Sequence, residues 1–202
     1  MSGIVYCKFM NYNYIHTPIT SVEHSQNPES LNLFIRIPIL PSSNKINIDM
    51  VKQYENKVHS CNEPSKYCTC CAINILQKYY YSTPKPIIEN IDISIHIRRG
   101  DVDEKILKRY TNNSFYKIIK FFNERYPNRN IIIFSEGIYN DFNDIKGNNI
   151  SFKLNLNVTE IFHSLISAKI LITAKSGFSY GTSTLNLNKI YYINLWHEPL
   201  NH

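Results

Sequence analysis

Apolar and polar positions along this chain fall into two regimes. Up to about residue 90 the apolar positions are irregularly spaced, mixed with Tyr and Asn, and interrupted by Pro18, Pro28, Pro38, Pro41, Pro64, Pro84 and Pro86. Within that stretch residues 31–39 alternate apolar and polar as a half-buried strand does, and the spacing predicts helices over about 48–58 and 67–81. Two prolines within 82–86 mark a linker.

From residue 91 the pattern becomes regular. Continuous apolar runs at 91–97, 130–135, 170–173 and 190–193, with a weaker one at 151–154, read as strands. Helical periods separate them: 114–125 with Phe115, Ile118, Ile119 and Phe122 on one face, 158–168 with Ile161, Phe162, Leu165 and Ile166, and 178–187. Strand followed by helix, repeated, predicts an α/β fold with a parallel sheet covered on both faces. Residues 1–86 are accordingly read as a small N-terminal lobe and 87–202 as a parallel-sheet domain.

Composition narrows the partners without choosing one. A formal charge of +6 suits a nucleic acid, an anionic membrane or a phosphorylated small molecule. No apolar run is long enough for a membrane helix, and the first residues lack the order of a signal peptide, so a cytoplasmic protein is expected. Sequons at Asn112, Asn149 and Asn157 would then go unused. The cysteines at 61, 68, 70 and 71 crowd C-x-C and adjacent spacings into one segment, with a single C-x2-C between 68 and 71 rather than the two paired C-x2-4-C of a zinc site, so free thiols and no metal are expected.

Ligands of open parallel sheets bind beyond the carboxyl ends of the strands, and there the polar residues gather. After the first strand comes HIRRGD, residues 96–101. Alternation along an extended segment sends His96 and Arg98 one way, Ile97, Arg99 and Asp101 the other. One arginine then suits a diphosphate, to which a guanidinium offers bidentate hydrogen bonds, while the other pairs with Asp101; an ion-paired rim without ligand is the plainer alternative. The Arg99-Gly100-Asp101 tripeptide also matches a cell-attachment string, common by chance. After the later strand comes AKSGFSYGTST, where Ser176, Gly177, Phe178 and Ser179 open a helix; its amides and the hydroxyls of Ser176, Ser179 and Thr182 are expected to face the rim and attract phosphate, ordinary capping being the alternative. Among the carboxylates, Asp103 or Glu104 could act as general base, Glu136 could meet a ribose or a base edge, and Glu160 suits a helix N-terminus. His16 in YIHTP and His24 are lone histidines.

The segment His96, Arg98, Arg99 and Asp101 resembles the H-x-R-R-x-D motif of the fucosyltransferase superfamily, which includes the α1,2- and α1,6-fucosyltransferases and enzymes of protein O-fucosylation. The stretch ISAKILITAKSGFSYGTSTL and the segment NLWHEPL are similar to later parts of that family, and YIHTP extends the likeness to the N-terminal part, setting His16 on the acceptor side. Lys169 stands where an acidic residue is common, and Gly177 where a second serine is common. No glycine-rich G-x-G-N turn occurs, so the N-terminal lobe is expected to be abbreviated. The resemblance implies a GT-B-like pair of Rossmann-like lobes and an inverting, metal-independent transfer of L-fucose from GDP-fucose to a glycan, with no cofactor. By position, Arg98 would hold the β-phosphate, His96 and Arg99 would shape the diphosphate site, and Ser176 to Ser179 would contact the nucleotide. Arginines that follow a buried strand argue against nucleic acid as the partner. The Asn-, Ile-, Lys- and Tyr-rich composition suggests a microbial or viral source.

Overall fold

The computed structural model describes residues 70–82, 84–100 and 112–192. The strand expected at 31–39, the helix expected at 48–58, the NLWHEPL segment, and His16, His24, Asp101, Asp103 and Glu104 lie outside the described residues. The chain divides into two compact units, Met1–Lys85 with His197–His202, and Pro86–Trp196.

Of the first unit, the described element is helix α1 (Cys70–Tyr81). It buries Ile73 and Tyr80, residues two turns apart on one face. Its end is capped by the Ser82 hydroxyl, which donates to the Tyr79 carbonyl at 2.8 Å.

Among the described residues, the second unit is built on a five-stranded sheet of β1 (Ile93–Ile97), β2 (Ile131–Ser135), β3 (Ile150–Leu154), β4 (Ile170–Ile172) and β5 (Lys189–Tyr191), in the spatial order β3-β2-β1-β4-β5. Every pairing is parallel. β1 and β2 are buried at all five of their positions, which is why their sequences, ISIHI and IIIFS, are almost unbroken apolar runs. β3 and β5 close the sheet at its two ends and are only partly buried, and their apolar signal is correspondingly weak.

Register puts Ile93, Ile131 and Ile170 abreast, and likewise Ile95, Ile133 and Ile172. Those isoleucines form one face, against which helix α2 (Asn112–Arg125) packs Phe115, Ile119 and Phe122. The opposite face carries Ile132, Phe134 and Leu171, covered by helix α3 (Val158–Ser167) through Leu165 and by helix α4 (Gly177–Leu185) through Phe178. α3 and α4 also pack on each other. Asn186, just past α4, donates its side-chain amide to the carbonyls of Leu165 and Ala168 at 3.0 Å each, which satisfies two acceptors that the end of α3 leaves open.

The strand order reverses between β1 and β4. From β1 the chain steps outward to β2 and β3, then crosses back by way of α3 to β4 and continues outward to β5. Right-handed crossovers running in opposite directions put α2 and α3 on opposite faces and leave a crevice at the carboxyl ends of β1 and β4.

Leu165 is fully buried where α3 meets the sheet. Leu165→Ala should lower the unfolding free energy by roughly 2 to 5 kcal/mol in urea denaturation, without changing the far-ultraviolet circular dichroism of the folded protein.

Candidate functional site

β1 is short and carries two polar residues, Ser94 within its paired stretch and His96 near its carboxyl end. His96 is its fourth residue, on the face covered by α3 and α4; Ile97 faces α2. The same alternation continues past the strand. Arg99 follows Ile97 towards the α2 side, where its guanidinium lies 3.6 Å from the Asp141 carboxylate and 5.2 Å from the centre of the Phe142 ring. Its side chain is 18% exposed, so this arginine is held from two sides rather than offered to the rim.

The loop that holds Arg99 is itself built for the task. Gly137 has φ +117° and Asn155 φ 53°, both in the left-handed region. The Asn155 side chain accepts from the Gly137 amide at 3.0 Å and donates to its carbonyl at 2.8 Å. A single 3-10 turn, Tyr139–Phe142, then carries Asp141, whose carboxylate also accepts the Ile138 amide at 2.9 Å. The sequence suggested Asp101 as the partner of one arginine. Asp101 lies outside the described residues, and the ion pair seen at Arg99 is with Asp141, which the spacing of charges along the chain did not reveal.

Gly100 turns the chain away after the arginines with φ +79°. Backbone conformation requires glycine there, and a Cβ at that position would also push aside the Glu136 carboxylate, the far end of a flexible side chain. Glu136 is thereby set at the mouth of β1, exposed, beside the turn that carries the arginines. The Ser135 hydroxyl donates to the Ile97 carbonyl at 2.9 Å and ties the ends of β2 and β1 together.

On the other side of the crevice, Ser176 is the N-cap of α4 and accepts the Phe178 amide at 3.2 Å. The expectation that Ser179 and Thr182 would present hydroxyls to the rim is corrected. Ser179 is fully buried; its oxygen accepts the Ala174 amide at 3.1 Å and its hydroxyl is hydrogen-bonded to His96 Nδ1. Thr182 is also fully buried and donates to the Ser179 carbonyl at 2.8 Å. The reason is helical period: residues 176, 179 and 182 repeat every three positions, so they share the face that α4 turns to the sheet. Gly177 is exposed with open space around it, and Phe178 is half-buried with its ring 5.5 Å from the His96 ring.

His96 is therefore an inward residue of the crevice floor. Burial, and after it the nearby Arg98 guanidinium, push its proton affinity down to about 4, so the imidazole is neutral at pH 7. The Ser179 oxygen, which accepts the Ala174 amide, is hydrogen-bonded to His96 Nδ1, and a hydroxyl with one proton and two lone pairs suits either tautomer of the neutral ring. Arg98 itself is half-buried at the end of β1. The crevice thus brings together Arg98, the His96–Ser179 link, the first turn of α4 and, on the β2 side, Glu136. Glu160 lies in the first turn of α3, capped by Asn157, as a charge suited to a helix N-terminus.

Cavities lie off this crevice among the described residues. One of about 30 Å³, water-sized, sits beneath Arg99 between Tyr116, Asp141 and Asp144. A larger groove of about 540 Å³ runs along α3 past Glu160, His163 and Ser164. Among the described residues no cluster of three or more His, Cys, Asp or Glu side chains is arranged to hold a metal ion, and no helix is long and apolar enough to cross a membrane. No protein-family model, curated protein or solved structure matches the chain.

A histidine kept neutral by burial binds its proton more readily when unfolded, at its ordinary value of 6.5, than when folded, at about 4. Stability from this group is complete above pH 6.5 and is lost as pH falls from there towards 4, by up to roughly 3 kcal/mol, which urea unfolding at stepped pH should register. Separately, Gly100→Ala should lower the thermal midpoint, because it adds backbone strain of about 1 kcal/mol or more and displaces Glu136.

Proposed function

We propose that the chain is an inverting glycosyltransferase that binds the diphosphate of a nucleotide sugar in the crevice between β1 and β4, with GDP-fucose as donor and a glycan hydroxyl as acceptor. The observation that carries this reading is the position of Arg98, one residue past the end of β1 and across the strand-order reversal from the N-terminus of α4. A guanidinium on one wall and a helix N-terminus on the other are two independent attractions for a diphosphate. The H-x-R-R-x-D resemblance favours fucose as the sugar. In this reading the parallel-sheet unit is the Rossmann-like donor lobe of a GT-B-like enzyme.

The chemistry asks little else of these residues. The acceptor oxygen attacks the anomeric carbon from the side opposite the leaving group, the bond to the diphosphate oxygen breaks, and GDP departs with the electron pair. Arg98 and the first turn of α4 stabilise the charge that gathers on the departing phosphate, where fixed donors act most strongly. The proton of the acceptor hydroxyl goes to a general base, for which Asp103 and Glu104 are the candidates from the sequence. Glu136, at the β2 side of the crevice, suits a hydrogen bond to the ribose or the guanine edge. Arg99, His96 and Ser179 support the site from behind, and His16 belongs to the acceptor side by resemblance alone.

Calorimetric titration of the protein with GDP, GDP-fucose, GDP-mannose, UDP-glucose and a short DNA, without added metal, tests the reading. GDP and GDP-fucose should bind and UDP-glucose should not; equal binding of all the nucleotide sugars would keep the diphosphate site and remove the fucose assignment. Steep weakening of DNA binding by salt, with silence towards nucleotides, would favour a nucleic-acid-binding protein instead. Arg98→Ala should cost on the order of 2 to 5 kcal/mol of GDP affinity while the protein stays folded.

A further inference from the structure

Resting on that diphosphate reading, we propose that His96 and Ser179 are a positioning pair: the hydrogen bond between them fixes the gap between the Arg98 end of β1 and the first turn of α4, the gap that a diphosphate has to bridge. Neither residue touches the ligand. His96 belongs to the central strand, which is paired along both edges and has no freedom of its own. Ser179 belongs to the first turn of a nine-residue helix that starts from a tight turn, where the Ser176 amide donates to the Ala174 carbonyl at 2.9 Å.

The Ser179 oxygen is the centre of that turn. By accepting the Ala174 amide it closes the segment between β4 and α4 around itself, and its bond to His96 fastens the closed turn to a strand 83 residues earlier in the chain. Phe178 completes the fastening: its ring meets the His96 ring on one side and the Phe162 ring of α3, at 5.9 Å, on the other. The outward side of the same helix end is open, since nothing lies within 4 Å of a side-chain carbon built at Gly177. One side of the turn is therefore pinned and the other left clear for an anion.

This arrangement explains why a histidine stands in the buried row of β1. The pair needs a polar atom on a rigid ring that stays uncharged in a buried row, and Nδ1 held by a buried hydroxyl fixes the orientation of that ring. Removing the Ser179 hydroxyl leaves both His96 Nδ1 and the Ala174 amide without their partner, and α4 loses its fixed distance from Arg98.

The test uses the whole chain and GDP as the probe. Ser179→Ala, shown to be folded by near-ultraviolet circular dichroism, should bind GDP about tenfold or more weakly than the wild type in calorimetry. In wild-type protein labelled with nitrogen-15 at histidine, the His96 ring should be neutral at pH 7, and its resonances should shift on saturation with GDP. A folded Ser179→Ala that binds GDP within about twofold of wild type overturns the pair and leaves the donor site standing. His96 resonances that do not move on saturation with GDP overturn it as well, and decide the matter if the variant does not fold. Silence of the wild type towards GDP overturns the donor reading and this inference together.

Discussion

Strand β1 is hydrogen-bonded along both edges and covered on both faces, and every polar group of the site has to be reconciled with that burial. A buried polar side chain costs least where a partner is waiting or where the sheet ends, and the small Ser94 hydroxyl, which has no hydrogen-bond partner, is the exception on this strand. His96 meets the first condition through Ser179, and the two arginines meet the second. Because side chains alternate along extended backbone, the adjacent arginines cannot share a fate: Arg99 goes to the α2 side and into the Asp141 carboxylate, and Arg98 stays with the crevice. One strand end thus sends adjacent arginines to opposite faces, one to a carboxylate and one to the crevice.

Much of the sheet could be read from apolar runs alone. The expected strands at 91–97, 130–135 and 170–173 correspond to β1, β2 and β4, because central parallel strands are apolar on both sides and announce themselves. β3 and β5 were weaker or displaced signals because an end strand is covered less completely. α2 and α3 followed from their helical periods. The rim of β1 was legible too, since a double arginine directly after an apolar strand has few places to go.

What the sequence did not disclose was who meets whom across loops. Asp141 reaches Arg99 only because Gly137 and Asn155 both adopt left-handed backbone and bend the chain back, and nothing in the spacing of those residues signals that fold. Ser179 was misread for a different reason. A serine near a helix start suits phosphate and suits capping, and only the period of 176, 179 and 182 tells that the hydroxyls turn inward. Lys169 shows the converse: the departure at that position is a lysine that donates to the Asp92 carboxylate at 2.9 Å, joining β1 and β4 at the end of the sheet opposite the crevice and holding that carboxyl below its usual range.

The two end strands carry one more consequence. A terminal strand offers unpaired backbone groups to any other extended chain, and a lysine on it is a common guard against such additions. β3 has Lys153, which reaches the Glu89 carboxylate at 3.5 Å, and β5 begins with Lys189, exposed and lying over the Tyr191 ring. At both ends of the sheet, a newly arriving strand would have to bury or displace an ammonium group. The same short, charged borders that made β3 and β5 hard to recognise would work against the addition of another strand.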